Sequence, residues 1–262
     1  MSLDYTLSDN ATTYLRLSHG YRSGGFNVRT QQAPFDPEFI DQLELGLKSD
    51  VLDDRLRING AVYTSRYKDQ QIARFGVDLS GGAATVIENV GRSEYNGVEL
   101  ELTALITESL IFTAGTGYAD IDIKKVKAAD GSNIADLYHP ANAPRKTAQA
   151  ALEYRRTIAA VGDLLARVDW GYEDGFRFFA RDDTNTFNRM INRESHDRVN
   201  ARFTLGDIEL GSADWKLSLS AWGRNLTDEK YRARAIDFGP LGYAGVVFSE
   251  PRTYGFDVGL EY

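Results

Sequence analysis

The chain has 262 residues, a formal net charge of −8 and no cysteine. That excludes disulfides, thiolate metal sites and cysteine nucleophiles, and it disfavours a polyanionic partner such as nucleic acid. A mean hydropathy of −0.38 and apolar runs of only a few residues leave no segment near the roughly 18 apolar residues of a spanning helix. Met1-Ser2-Leu3-Asp4-Tyr5 lacks the basic-then-apolar order of a secretory leader. The chain therefore reads as a mature or truncated piece, or as a cytoplasmic protein, with residues 1–3 as a possible vector-derived leader.

In chain order, two-residue alternation predicts strands. In 12–21, Leu15 and Leu17 oppose Arg16 and Ser18. In 39–48, Leu43, Leu45 and Leu47 oppose Gln42, Glu44 and Lys48. Residues 55–67 carry Leu56, Ile58 and Val62 on one side. In 95–105, Val98, Leu100, Leu102 and Ala104 oppose Glu99, Glu101 and Thr103. Strand 110–123 is less regular. Strands 145–155, 164–174, 197–205 and 215–225 follow. The last strand, in 251–262, alternates Tyr254, Phe256, Val258, Leu260 and Tyr262 with Thr253, Gly255, Asp257, Gly259 and Glu261. An aromatic strand with no polar tail is unusual for a soluble domain, whose termini fray.

The connections alternate as well. Short ones, at 51–54, 106–109, 157–161 and 211–214, hold turn residues. Long ones run over 22–38, 68–94, 124–144, 175–196 and 226–250. About ten strands, joined alternately by short turns and long loops, give an antiparallel up-and-down transmembrane β-barrel, partial or small. Tyr262 then falls at the periplasmic end. Glu99, Glu101, Arg167, Asp169, Glu173, Arg202 and Arg224 share one side, which must enclose a wet or polar interior. An Arg or Lys facing lipid would cost about 2–4 kcal/mol. Trp170, Tyr172, Phe176, Phe178 and Phe179 near one end, and Tyr154, Trp215 and Tyr262 near the other, read as interfacial girdles or as loop-packing aromatics.

Several stretches carry a further signal. They are Gly20-Tyr21-Arg22-Ser23-Gly24-Gly25-Phe26-Asn27, Leu43-Glu44-Leu45-Gly46-Leu47-Lys48 followed by Arg55-Leu56-Arg57-Ile58-Asn59, and Asn89-Val90-Gly91-Arg92-Ser93-Glu94-Tyr95-Asn96-Gly97-Val98-Glu99-Leu100-Glu101. Arg224-Asn225-Leu226-Thr227-Asp228-Glu229-Lys230-Tyr231 and Pro251-Arg252-Thr253-Tyr254-Gly255 complete the series, and together these stretches are similar to the C-terminal half of the barrel of TonB-dependent outer-membrane receptors.

The resemblance implies import of a scarce ligand (metal chelate, vitamin or oligosaccharide) powered by the inner-membrane TonB complex. It implies no enzymatic chemistry and no cofactor. Tyr254, Phe256, Val258, Leu260 and Tyr262 resemble the C-terminal signature read by the barrel-assembly machinery. No plug domain or TonB box is found, and the family's barrel has about 22 strands. Residues 1–262 thus read as one domain, a C-terminal fragment. Its partners would be the lipid bilayer, the remainder of the receptor and, through it, TonB. It would need detergent.

Two other readings stand beside this one. The first is a complete small outer-membrane barrel acting as a passive pore, adhesin or anchor. The second is a soluble carbohydrate-binding β-sandwich.

For ligand contact the candidates are Arg22, Phe26, Asn27, Tyr231, Arg232, Arg234 and Phe248, with Asp237 and Phe238 beside them. Aromatic rings with Arg suit an anionic or planar ligand. His19, His139 and His196 lack metal-ligand spacing and read as surface histidines. Asp182-Asp183 and Asp130-x-Ser132-Asn133 match no full calcium loop and read as turn acids. There is no P-loop, dinucleotide fingerprint or Gly-x-Ser-x-Gly.

Overall fold

The computed structural model describes residues 1–28, 30, 34–128, 130–183, 185–211 and 215–262, without the side chains of 74–77, 83, 90 and 240. The short turn expected at 211–214 lies mostly outside the described residues, as do Ala129 and Thr184 of two polar loop segments. The chain forms one 11-stranded antiparallel sheet and one separate two-stranded hairpin.

The sheet runs in sequence order through β1 (Ser2–Ser8), β2 (Ala11–Arg22), β3 (Glu38–Val51), β4 (Leu56–Val77), β5 (Ala83–Thr107), β6 (Leu110–Lys125), β7 (Lys146–Ile158), β8 (Gly162–Glu173), β9 (His196–Glu209) and β10 (Lys216–Arg224). Its last strand is β13 (Thr253–Glu261), while β11 (Arg232–Phe238) and β12 (Tyr243–Phe248) form the hairpin.

Each predicted strand is present. The sheet also holds β1, whose Leu3, Tyr5 and Leu7 continue the alternation. Ser2 and Leu3 are paired with Arg16 and Leu15. Every neighbouring pair is antiparallel, so strands 1 and 11 of the sheet run in the same direction. The sheet is open, and β1 and β13 are its edges.

Register explains why the sheet is two-faced. Leu3, Leu15, Leu45, Val62, Val98 and Tyr118 are successive cross-strand partners on one face. Leu205 and Val258 flank Leu219 on the same side farther along. Nothing among the described residues packs against this face: Leu45 is 50% exposed and Phe256 82%.

The other face carries Asp4, Tyr14, Gly46, Ala61, Glu99, Gly117, Thr147, Glu173 and His196 as one continuous row. The row starts beside a short turn and ends beside a long connection, which is the tilt of barrel strands. Glu101, Arg167, Asp169, Arg202 and Arg224 lie on that side by the same register, as the alternation predicts. Aromatic rings there cover glycines across the ladder. Tyr14 lies over Gly46, Tyr63 over Gly97 and Trp222 over Gly255, and an added Cβ would fall within 2.6 Å of each ring. These pairs shield backbone that has no side chain of its own.

The short turns hold left-handed backbone at Leu52, Asp53 and Asp54 (φ 57°, 54° and 62°) and at Ala160 (φ 62°). Arg55 ties two of these turns together, donating to the carbonyls of Leu105 (3.1 Å) and Ile106 (2.6 Å). At this end Trp215 and Tyr262 pack with tilted rings, centroids 5.0 Å apart.

The long connections contain more structure than expected. The 68–94 segment is not a loop: β4 and β5 extend as a paired ribbon to a tight turn at 78–82. Asp78 makes that turn by accepting from the amides of Ser80 and Gly82. The 226–250 segment holds the β11–β12 hairpin.

Candidate functional site at the long-connection end

The apolar core of the molecule lies among the long connections. Val126, Ala135, Tyr138 and Ala180 are buried together, with Ile72, Ile123, Ile134 and Ala141 packed around them. Polar contacts then fix the layers. The Tyr138 hydroxyl donates to Glu88 (2.7 Å) on the β5 extension and accepts from Arg181 (3.1 Å), whose guanidinium also lies over the Tyr138 ring. Burial, reinforced by the Glu88 bond, pushes the Tyr138 phenol up to about 12.

Asp182 gathers Arg189 (2.8 Å), Asn188 (3.0 Å) and Arg177 (3.1 Å). Burial alone would raise its carboxyl, but the Arg189 bond and the Arg177 charge outweigh that and hold it below the usual carboxylate range. His139 lies 3.5 Å from Asp182. Burial and then Arg177 push the His139 imidazole down, so at neutral pH this contact joins a neutral ring to a carboxylate and is not an ion pair.

A second junction attaches the hairpin. Asn225, buried and left-handed (φ 50°), is its anchor. Its amide group accepts from the Glu229 N–H (2.9 Å) and donates to the carbonyls of Glu229 (2.9 Å) and Glu250 (3.0 Å). Its own N–H donates to Asn200 (3.0 Å) on β9. Farther out, the buried Asp237 carboxylate accepts from the amides of Phe187 (2.9 Å) and Gly239 (2.7 Å). Tyr231 stacks on His196 with centroids 3.6 Å apart, and Arg193 lies 4.7 Å from the Tyr231 ring.

Two cavities open between these layers and meet at Ala233 of β11. One, of about 600 Å³, lies against the charged face of the sheet and is lined by Arg198, Arg202, Trp222, Arg224, Tyr231 and Phe248. The other, of about 1010 Å³, lies between the β4–β5 extension, the 126–144 and 175–195 connections and β11. Ile72, Ile121, Ile123, Phe178, Ile236 and Phe238 give it an apolar lining. Their sizes are those of small-molecule pockets, roughly 300–1,000 Å³.

The residues singled out from the sequence separate into groups. Tyr231 and Phe248 line the first cavity; Arg234, Asp237 and Phe238 line the second. Arg232 is turned to the Asn192 carbonyl (2.9 Å) and pairs with Glu194. Arg22 ends β2, and Phe26 projects into solvent, 75% exposed; neither lines these cavities. Asn27 fastens its connection to the β5 extension through reciprocal bonds with the Ile87 backbone (2.8 and 2.9 Å). Close by, Gly24 is needed because a Cβ would meet the Phe35 carbonyl at 2.4 Å.

Of the histidines, His19 pairs with Asp41 (2.7 Å) on β2 and β3, and His139 and His196 lie in the junctions. Asp130 accepts from Ser132 and Asn133 from Val126, which makes both turn residues. Phe176 and Phe178 pack edge to face within the connections (5.4 Å). Arg198 and Trp222 were not singled out, although their inward parity follows from Asn200 and Arg224 once the alternation is extended by one step.

The sequence and the fold of this strand wall have counterparts among known proteins. The sequence profile described as "TonB dependent receptor-like, beta-barrel" matches residues 1–226. The chain belongs to the TonB-dependent receptor β-barrel family. It is 27% identical over 150 residues to the probable TonB-dependent siderophore receptor PiuA of Acinetobacter baumannii, covering 56% of this chain and 19% of that protein. It is 26% identical over 148 residues to the pesticin receptor of Yersinia enterocolitica, covering 55% and 20%. The chain thus matches about a fifth of the length of these curated relatives.

Among solved structures, the ferric yersiniabactin uptake receptor FyuA of Yersinia pestis superposes with a TM-score of 0.73 at 18% identity, over 98% of this chain and 36% of that one. The copper transporter OprC superposes with a TM-score of 0.69 at 20% identity, over 98% and 38%. At these identities the superpositions establish the fold. The partial-barrel reading holds, and the β-sandwich reading is set aside because, among the described residues, the sheet has one layer and no second sheet packs on its apolar face.

Proposed function

We propose that this chain is the C-terminal part of an outer-membrane receptor that imports a scarce metal chelate with energy from TonB. The observation that carries the reading is the pair of ligand-sized cavities, capped by the long connections, on a wall of this family. In this reading the apolar face meets acyl chains, the charged face lines the lumen, and the long-connection end faces outward. The C-terminus then lies on the periplasmic side. The receptor names of the relatives support a chelate as ligand.

Strand parity supports the fragment reading. Strands 1 and 11 of the sheet run in the same sense, so closure of this sheet on itself would need a parallel seam in an otherwise antiparallel barrel. An odd number of further strands restores the antiparallel order, as in barrels with an even total. That weighs against a complete small barrel.

The test is deletion of the gene followed by uptake of radiolabelled ferric chelates under iron limitation. Loss of uptake for at least one chelate, restored by the intact gene, is the expected result. Unchanged uptake across a panel of chelates, vitamins and oligosaccharides would overturn the reading. We assign Tyr254, Phe256, Val258, Leu260 and Tyr262 to recognition by the barrel-assembly machinery. Tyr262→Ser should slow appearance of the folded barrel in the outer membrane, and an unchanged assembly rate would remove the assignment.

A further inference from the structure

We propose that the ligand bound at the long-connection end is an amphipathic anion, its acidic group between Arg198 and Arg224 and its apolar body in the neighbouring cleft past Ala233. The inference rests on the receptor reading and adds the chemistry of the ligand.

The first cavity supplies the cationic half. Of its three arginines, Arg202 is already used, donating to Asp257 (2.9 Å) and Ser220 (3.0 Å). The Asp169 carboxylate in the same wall accepts from Asn200 (2.7 Å). Arg198 and Arg224 have no carboxylate partner among the described residues. Each lies beside an aromatic ring, Arg224 over Trp222 (5.2 Å) and Arg198 6.0 Å from the Tyr231 ring that His196 and Arg193 also flank. A guanidinium beside a ring keeps its N–H groups available to a further partner. A planar fork of that kind matches a carboxylate, sulfonate or phosphate through paired N–H···O bonds.

The second cavity supplies the apolar half. Ile72, Ile121, Ile123, Phe178 and Phe238 are half-buried there, and Ile236 is 49% exposed on its rim. In a cleft held in shape by the Tyr138 and Asp237 junctions, this surface stays in water until something apolar covers it. Covering it contributes about 25 cal/mol for each Å² removed from water. A wholly hydrophilic solute would leave the cleft wet, and a neutral apolar one would leave two guanidinium groups unmatched. A molecule with both parts satisfies both cavities, which adjoin at a residue whose side chain is a single methyl group.

The experiment uses the intact receptor in lipid nanodiscs, with empty nanodiscs as the blank for partitioning. Equilibrium dialysis compares 2-naphthoate, 2-naphthalenemethanol and acetate, which present both features, the apolar one alone and the anionic one alone. We expect 2-naphthoate to bind about tenfold more tightly than the alcohol, the gain of one charge-assisted contact, and acetate to bind weakest. Arg198→Gln with Arg224→Gln should reduce 2-naphthoate to the level of the alcohol and leave the alcohol unchanged. Both arginines are exposed, so the fold should survive, and circular dichroism checks that it does. Ile236→Ser should weaken acid and alcohol alike.

Equal binding of acid and alcohol, or an acid preference that survives the double substitution, overturns the inference. If the deletion strain still loses chelate uptake in that case, the receptor reading stands alone. If the deletion changes no uptake, the receptor reading itself falls whatever naphthoate does.

Discussion

The strand wall and its cap solve opposite problems with the same chain. In the wall almost nothing is buried by other protein: apolar side chains point away on one side and charged ones on the other, and the backbone ladder holds the strands together. In the cap the side chains bury one another, and carboxylates such as Asp182 and Asp237 replace the ladder as acceptors for loop donors. The difference teaches where each region takes its stability from. The wall depends on its surroundings being apolar; the cap carries its own core and should respond to changes in polar groups and pH.

The largest effect should come from reversing the wall's outer face. Leu45→Arg places a charge among Leu15, Val62 and their neighbours, and in a bilayer should cost about 2–4 kcal/mol. Refolding into vesicles measured by denaturant titration checks it. Thr103→Arg on the opposite face is the control and should cost far less. Comparable losses at both positions would erase the distinction between the two faces.

Asp237→Ala should come next. It strands two loop amides, a cost of about 1–3 kcal/mol. Hydrogen exchange should speed up in 175–195 and 232–248 while the wall amides keep their protection. Simultaneous loss in both regions would mean that the cap is not separately stabilised.

Tyr138→Phe removes the hydroxyl between Glu88 and Arg181 and should cost about 0.5–1.5 kcal/mol. It should also delete the phenol that titrates near 12, read by ultraviolet difference titration against the parent.

Acid should have the mildest effect on the cap. The Asp182 carboxyl is held below its ordinary value of about 3.9, so its stabilisation is complete above that pH and is lost as pH falls through the lowered value. His139 acts in the same direction at higher pH. Its imidazole is pushed down, so the unfolded chain takes up a proton first, near its ordinary value of about 6.5, and stability falls as pH drops below that. Exchange rates of the 176–189 amides between pH 7 and 3 check both, and protection that increased on acidification would contradict them.

The wall was legible because a bilayer-facing sheet must segregate its side chains at every second position. Val98 to Ala104 shows it plainly. Where that requirement lapses, so did the reading. Gln70, Gln71, Ile72 and Ala73 lie in a ribbon that projects past the wall, and without two contrasting faces they read as loop. The strand at Ser2–Ser8 is short and offers only Leu3, Tyr5 and Leu7 as a pattern. The β11–β12 hairpin is short and rich in small residues, so composition favoured a loop.

The site was legible in part. Tyr231, Arg234 and Phe248 were found as aromatic and basic residues in one segment and do line the cavities. The apolar cleft was not, because Ile72, Ile121, Phe178 and Ile236 come from four separated stretches, and only folding brings them together. The family-like motifs around Asn27, Asn89 and Asn225 proved to be fasteners. Asn89, for example, accepts from the Asp36 amide (2.8 Å) and donates to the Asp69 carbonyl (2.6 Å).

Asn225 has one more consequence. A single side-chain amide reaches Glu229 on the way out and Glu250 on the way back, and β10 and β13 are already zipped from Arg224 and Thr253. The excursion between them is a pendant on a closed clasp. Shortening, lengthening or exchanging it leaves the seam beneath undisturbed, because the ends never have to move apart and loop length is thermodynamically cheap. A lineage can therefore re-tool what hangs over the cavities while inheriting the staves unchanged.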